Sequence, residues 1–276
     1  MPPALTARRH AKGFVLVAVL WMGVALLIAV SAYLATARSG ALTARADVEM
    51  LRATELARSG LNAGLARLAL TVTDDEAVPR DGTPQIMRFA EGEVILRIED
   101  ESGKLDINAA PAELLAPALR RVGSGADAFD AANMAQAIVQ TREAGRVYGS
   151  VDALVTQFNL STASGERIRQ TFTTLNMTPR IDPGSAPADV LLSLPGVGES
   201  DVQDVLARRA AGLTPPRLGA AAVWLAPRTG PVFRMTAEAV LTSGIRARME
   251  MVVAAKGLGF RGGRMDYDIL SARVLP

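Results

Sequence analysis

Twenty-two consecutive residues near the start of the chain, FVLVAVLWMGVALLIAVSAYLA from Phe14 to Ala35, carry no charge. As a helix rising about 1.5 Å per residue the run is about 33 Å long, enough to cross the hydrocarbon core of a bilayer. Beyond it the apolar positions thin to a stripe. No proline occurs from Ala41 to Leu70, and Leu51, Leu61, Leu65 and Leu68 include the i, i+4, i+7 spacing of one helical face. The pattern predicts a single helix from about Phe14 to Thr71, weakened locally by Gly60 and Gly64. Glu49 and Glu55, six residues apart, do not share a face well and read as solvated surface.

The period then changes. Asp74 to Pro84, with two prolines, a glycine and four acids, reads as a loop. From Ile86 to Asn108, Val94, Leu96 and Ile98 alternate with Ile95, Arg97 and Glu99, which is hairpin patterning. VFRMTAEAVL from Val232, IRARMEMVVAAKG from Ile245 and MDYDILSARV from Met265 continue it, separated by Ser243-Gly244 and by residues 257–263. These segments predict one antiparallel sheet interrupted by a long insertion. The expected fold class is α+β.

The insertion, residues 109–231, predicts helices and repeats itself. LDINAAPAELL from Leu105 aligns with IDPGSAPADVL from Ile181 at an offset of 76. A glycine turn and an arginine-terminated segment follow each copy: Val122-Gly123 then AQAIVQTRE, and Val197-Gly198 then VQDVLARRA. Proline at the first turn with an acid soon after suits a helix N-terminus, so two related helical units are expected. In the second, LPGVGESDVQDVLARR places Pro195, Gly196 and Gly198 in a tight turn before a helix. The turn resembles that of a helix-hairpin-helix, whose backbone amides can hold a nucleic-acid phosphate. Glu199 and Asp201 at the turn speak against that use, and no nucleic-acid partner is expected.

Charge and composition narrow the function. The 276 residues carry a formal charge of +2, but residues 1–13 hold Arg8, Arg9 and Lys12 and no acid. Without them the chain has 27 basic and 28 acidic residues, so the basicity belongs to the leader. There is no cysteine, and the one histidine is His10 in that leader. His bases and Cys nucleophiles are thus absent from the rest of the chain, no GxSxG or P-loop occurs, and no enzyme activity is expected.

No Asp or Glu precedes Asp47, and the basic flank is denser on the N-terminal side, with Arg8, Arg9 and Lys12 close before Phe14 against Arg38 close after Ala35. That asymmetry predicts an N-terminus in the cytoplasm and export of the remainder. A cleaved secretory signal has a shorter apolar core, usually 7 to 15 residues, and a plain uncut signal anchor is the simplest alternative. The order of basic leader, Gly13, Phe14 and apolar helix resembles the class III signal of type IV pilins and pseudopilins. There a prepilin peptidase cuts after the glycine and methylates the new N-terminal phenylalanine. The resemblance puts the cut between Gly13 and Phe14 and the methyl group on Phe14. Pilin signals carry Glu at the fifth mature position, which here is Ala18. A carboxylate in a membrane helix is costly unless paired, and a subunit with no neighbour on that side has no use for it.

The Gly13-Phe14 junction, Ala18, GKLDINAAPAELL, VYGSVDAL from Val147 to Leu154 and DPGSAPADVLLSLPGVG together resemble the type II secretion protein K family of minor pseudopilins. The resemblance covers essentially the whole chain. It implies a leader (1–13), a transmembrane helix (14–35) continuing to about 71, a pilin-like α+β domain (72–108 and 232–276) and the helical insertion (109–231). It also implies a place at the tip of a periplasmic pseudopilus, with other minor pseudopilins, the prepilin peptidase and the inner membrane as partners. The family is associated with calcium, and Ca²⁺ is a possible cofactor. Oxygen-rich clusters occur at Asp74-Asp75-Glu76, Glu99-Asp100-Glu101, Asp106 with Asn108, and Asp266 with Asp268, none at EF-hand spacing. Acids in such loops are ordinarily solvated.

Overall fold

The computed structural model describes residues 11–70, 78–123, 130–226, 230–256 and 265–275. In chain order the elements are α1 (Ala11–Leu70), β1 (Gln85–Phe89), β2 (Gly92–Asp100), β3 (Leu105–Asp106), α2 (Ala112–Val122), α3 (Ala131–Glu143), α4 (Asp152–Gln157) and α5 (Thr162–Thr171). Then follow β4 (Phe172–Thr173), α6 (Ala188–Leu191), α7 (Glu199–Ala210), β5 (Val232–Leu241), β6 (Arg246–Ala255) and β7 (Tyr267–Leu275).

The chain divides into two units, 1–52 and 53–276. In the first, α1 is the only described element, and every side chain from Phe14 to Val48 is exposed. A helix apolar all round and packed on nothing of its own suits a lipid environment. Leu51, expected on the buried face of the helix, is exposed as well. Ten residues from Leu61 is about 80° round a helix of 3.6 residues per turn, which takes it off the stripe.

In the second unit the end of α1 buries Ala53, Leu56, Ala57, Gly60, Leu61, Gly64 and Leu68 along one side. They meet Val94, Leu96 and Ile98 of β2, Met235 and Ala237 of β5, and Met249 and Met251 of β6 in one apolar core. Gly60 and Gly64 lower helix propensity, and the structure shows what they do instead. A Cβ on Gly60 would lie 2.5 Å from Val94 Cγ1, and one on Gly64 2.5 Å from Leu96 Cδ2. The missing side chains let the helix backbone come down onto the sheet.

That sheet has five strands in the order β1-β2-β5-β6-β7, every neighbouring pair antiparallel. Between β2 and β5 the chain leaves to build the helical insertion. It has its own core, with Leu114, Leu115 and Leu119 of α2, Ile138 of α3, Ile168 of α5 and Val190 of α6 fully buried.

Candidate functional site

The two repeats of the insertion fold alike. Leu105 pairs in parallel with Phe172, and Ile181 forms a parallel bridge with Leu225. One residue on, Asp106 Oδ1 accepts the Asn108 N–H at 2.7 Å and Asp182 Oδ1 the Gly184 N–H at 2.9 Å. The carbonyls of the same two aspartates accept the N–H groups of Ala110 and Ala186 at 2.8 and 3.0 Å. A proline then caps a helix in each unit, Pro111 before α2 and Pro187 before α6. The second helix of each hairpin returns an arginine to the turn. Arg142 donates to the carbonyls of Ile107 and Ala110 at 3.1 and 2.8 Å, and Arg209 to those of Pro183 and Ala186 at 2.7 and 2.9 Å. The clamped carbonyls keep the offset of 76, whereas the arginines are 67 apart, so the first hairpin is nine residues longer. The structure thus extends the duplication through the glycine turns to the arginines.

At the second turn Gly196 has φ +74°, a conformation that favours glycine. The Gly198 N–H, which a phosphate at this helix start would need, donates to Asp201 Oδ2 at 2.9 Å. Glu199 lies in the same first turn. Pro195 is exposed beside them. The bases at the end of the following helix are engaged elsewhere: Arg208 pairs with Asp204 at 3.2 Å and Arg209 clamps the turn after Asp182. The geometry is that of a structural hairpin already holding its own anion.

Where the insertion leaves the sheet, the acids read from the sequence as solvated loop are instead buried. Asp100, Glu101 and Lys104 are 3%, 1% and 2% exposed. Lys104 Nζ lies 2.6 Å from Glu99 and 3.0 Å from Glu101, and the Thr173 hydroxyl donates a short hydrogen bond to Glu101. From there alternating charges run outward. Arg234 contacts Glu101 at 2.8 Å and Glu250 at 3.0 Å; Arg273 contacts Glu250 at 3.0 Å and Asp152 at 3.9 Å; Arg169 contacts Asp152 at 2.8 Å. This chain of pairs ties β5, β6 and β7 to α4 and α5. It lines a cleft of about 870 Å³ that also takes in Arg97, Thr236, Arg248 and Gln170.

Burial alone would raise the Glu101 pKa, but Lys104 and Arg234 outweigh it and hold the carboxyl at about 2. Lys104 is held up in turn: burial opposes its charge, and Glu101 and Glu99 overcome it. Among the described residues Asp100 has no such cation. Burial pushes it up to about 6 against hydrogen bonds from Ser102 and Gly230, with Asp182 adding repulsion. One signal in the sequence pointed there. The alternation Val94, Leu96, Ile98 extended by two puts Asp100 on the core face of β2.

Of the oxygen clusters, Asp74-Asp75-Glu76 lies outside the described residues. Asp106 spends Oδ1 on Asn108 and Oδ2 on the N–H groups of Asn176 and Met177, and Asn108 Oδ1 accepts the Tyr148 N–H. Asp268 pairs with Lys256 at 2.7 Å. Among the described residues no three acidic, His or Cys side chains gather as a metal site. Gly13 and Phe14 lie in the first turns of α1, and Phe14 and Ala18 are exposed.

Comparison with solved structures finds a chain of the GspK-GspI-GspJ complex from the type 2 secretion system of enterotoxigenic Escherichia coli, with a TM-score of 0.56 at 15% identity. The match covers 84% of this chain and 99% of the other. This chain has the fold of a subunit of that complex. The likeness is one of fold, over most of this chain. No family model matches the sequence, and no curated protein matches it.

Proposed function

We propose that the chain is a minor pseudopilin of a type II secretion system, of the protein K family, acting at the tip of the pseudopilus to initiate or cap its assembly for export across the outer membrane. The observation that carries this is the shared fold over nearly the whole length of the other chain, with the helical insertion included. The N-terminal stretch supports it: an apolar, exposed helix from Phe14 preceded by a leader that holds Arg8, Arg9 and Lys12 and no acid. In this reading residues 1–13 are a leader removed between Gly13 and Phe14, Phe14 is N-methylated, and 14–35 cross the inner membrane with the N-terminus in the cytoplasm. The pilin-like domain of 72–108 and 232–276 and the insertion of 109–231 are periplasmic.

Ala18 fits the tip. A glutamate there would need a neighbouring subunit's amine to offset its burial in lipid, and the terminal subunit has no such neighbour above it. Nothing in this role calls for catalysis or a nucleic acid. The partners are the other minor pseudopilins. Full-length chain in detergent, mixed with the minor pseudopilins of its own secretion system, should co-elute with them as a stoichiometric complex in size-exclusion chromatography; separate elution at micromolar concentration would count against the assignment.

A further inference from the structure

We propose that the free edge of β7 takes up a strand from another minor pseudopilin, which extends the five-stranded sheet by backbone pairing. The proposal rests on the minor-pseudopilin reading and names the surface by which such a partner is held. β7 is the last strand of the sheet, and among the described residues nothing pairs with its outer side. A row of unpaired N–H and C=O groups recognises one kind of ligand, an extended backbone. Proteins ordinarily blunt such an edge by keeping it short or by placing lysine or proline on it. β1, at the other edge, is five residues long and follows Pro84. β7 is nine residues long and contains neither lysine nor proline. Its two charged side chains are spent within the chain, Arg273 on Glu250 and Asp268 on Lys256.

The side chains of β7 state what the incoming strand must carry. Register places Ile269, Ala272 and Val274 opposite Val253, Met251 and Met249, which belong to the core that also holds the end of α1. Ile269 and Val274 thus continue a core row out to the edge, where they are 55% and 58% exposed. An added strand with apolar residues on that face would cover them. The register shift between Val252 and Val253 disturbs the pairing near Leu270, and Ser271–Leu275 beyond it pair with β6 without a break.

A second copy of the chain does not fit the place. Two-fold symmetry pairs identical edge strands antiparallel, about an axis perpendicular to the sheet. The end of α1 runs along β2, since Gly60 faces Val94 and Gly64 faces Leu96, and β2 is antiparallel to β7. Such a pair would send the two Ala53 ends in opposite directions, although in the pseudopilin reading both lead to anchors in one membrane. A different subunit, paired through a strand of its own, is free of that constraint.

Hydrogen exchange read by mass spectrometry tests the pairing on the full-length chain in detergent, with and without each of the other minor pseudopilins of its system. In the complex the amides of β7 that are not already bonded to β6 should exchange at least tenfold more slowly. Ile269→Lys and Val274→Lys put a charge on an exposed part of the edge, so each should leave the thermal midpoint near that of the wild type and weaken the complex at least tenfold. A complex that forms without slowing exchange in β7, or whose affinity is unchanged in both variants, overturns this proposal alone. Protection of β7 that arises in the chain by itself and grows with its concentration assigns the edge to a second copy and overturns the named occupant. A wild type that binds none of the minor pseudopilins overturns the functional reading, and this surface with it.

Discussion

Asp100 and Glu101 are neighbours with opposite pH responses. An aspartate that titrates near 3.8 when unfolded keeps its proton to about pH 6 at position 100 in the folded chain. The folded state binds that proton more tightly, so the stability Asp100 contributes is complete below about pH 3.8 and is lost as pH rises through 6, about 3 kcal/mol in all. Glu101 runs the other way: with its pKa lowered from 4.5 to about 2, its contribution is complete above about 4.5 and lost as pH falls through 2. Between pH 4.5 and 7 Glu101 is constant and the window isolates Asp100. Urea unfolding across that range should show the wild type losing stability with rising pH relative to Asp100→Asn; parallel curves would contradict the assignment. Three acids in a row read as solvated because the partners that tie them to the far end of the chain are remote in sequence. Arg234 reaches Glu101 across 133 positions, and Gly230 reaches Asp100 across 130.

Among the elements, the strands were the most legible. Val94, Leu96 and Ile98 alternate as an edge of the core should, and the run beginning at Val232 is β5 from its first residue. Helix α1 was legible in extent but not in its buried face. Leu51 looked like part of the apolar stripe and is not, while Gly60 and Gly64 looked like weak points and lie in the contact. A sequence records the propensity cost of glycine but not the side chain that fills the space above it. Gly64→Ala puts these two effects in opposition. Helix propensity favours alanine by about 1 kcal/mol. The new Cβ meets Leu96 at 2.5 Å and the Met235 methyl at 2.8 Å. Overpacking of this kind costs about 1–3 kcal/mol, so the variant should unfold at lower urea than the wild type. An equal or higher midpoint would show that the helix does not approach the sheet this closely.

At the scale of the whole molecule, the insertion was legible as a duplication because its turns are written in residues with few substitutes: an aspartate that caps its own turn and a proline that starts a helix. The arginines that close each unit were noted only as helix ends. Their role depends on carbonyls whose direction no sequence records. The chain of ion pairs between the sheet and α4–α5 was illegible for the same reason, since Asp152, Arg234, Glu250 and Arg273 lie in four separate elements. What the sequence stated most directly, the junction of a basic leader with an apolar helix at Gly13-Phe14, is also what the functional reading depends on. Mass spectrometry of the N-terminal peptide from chain expressed with its prepilin peptidase tests it: the account predicts N-methyl-Phe14 as the first residue. An intact Met1, or a terminus created by cleavage near Ala37, would contradict it.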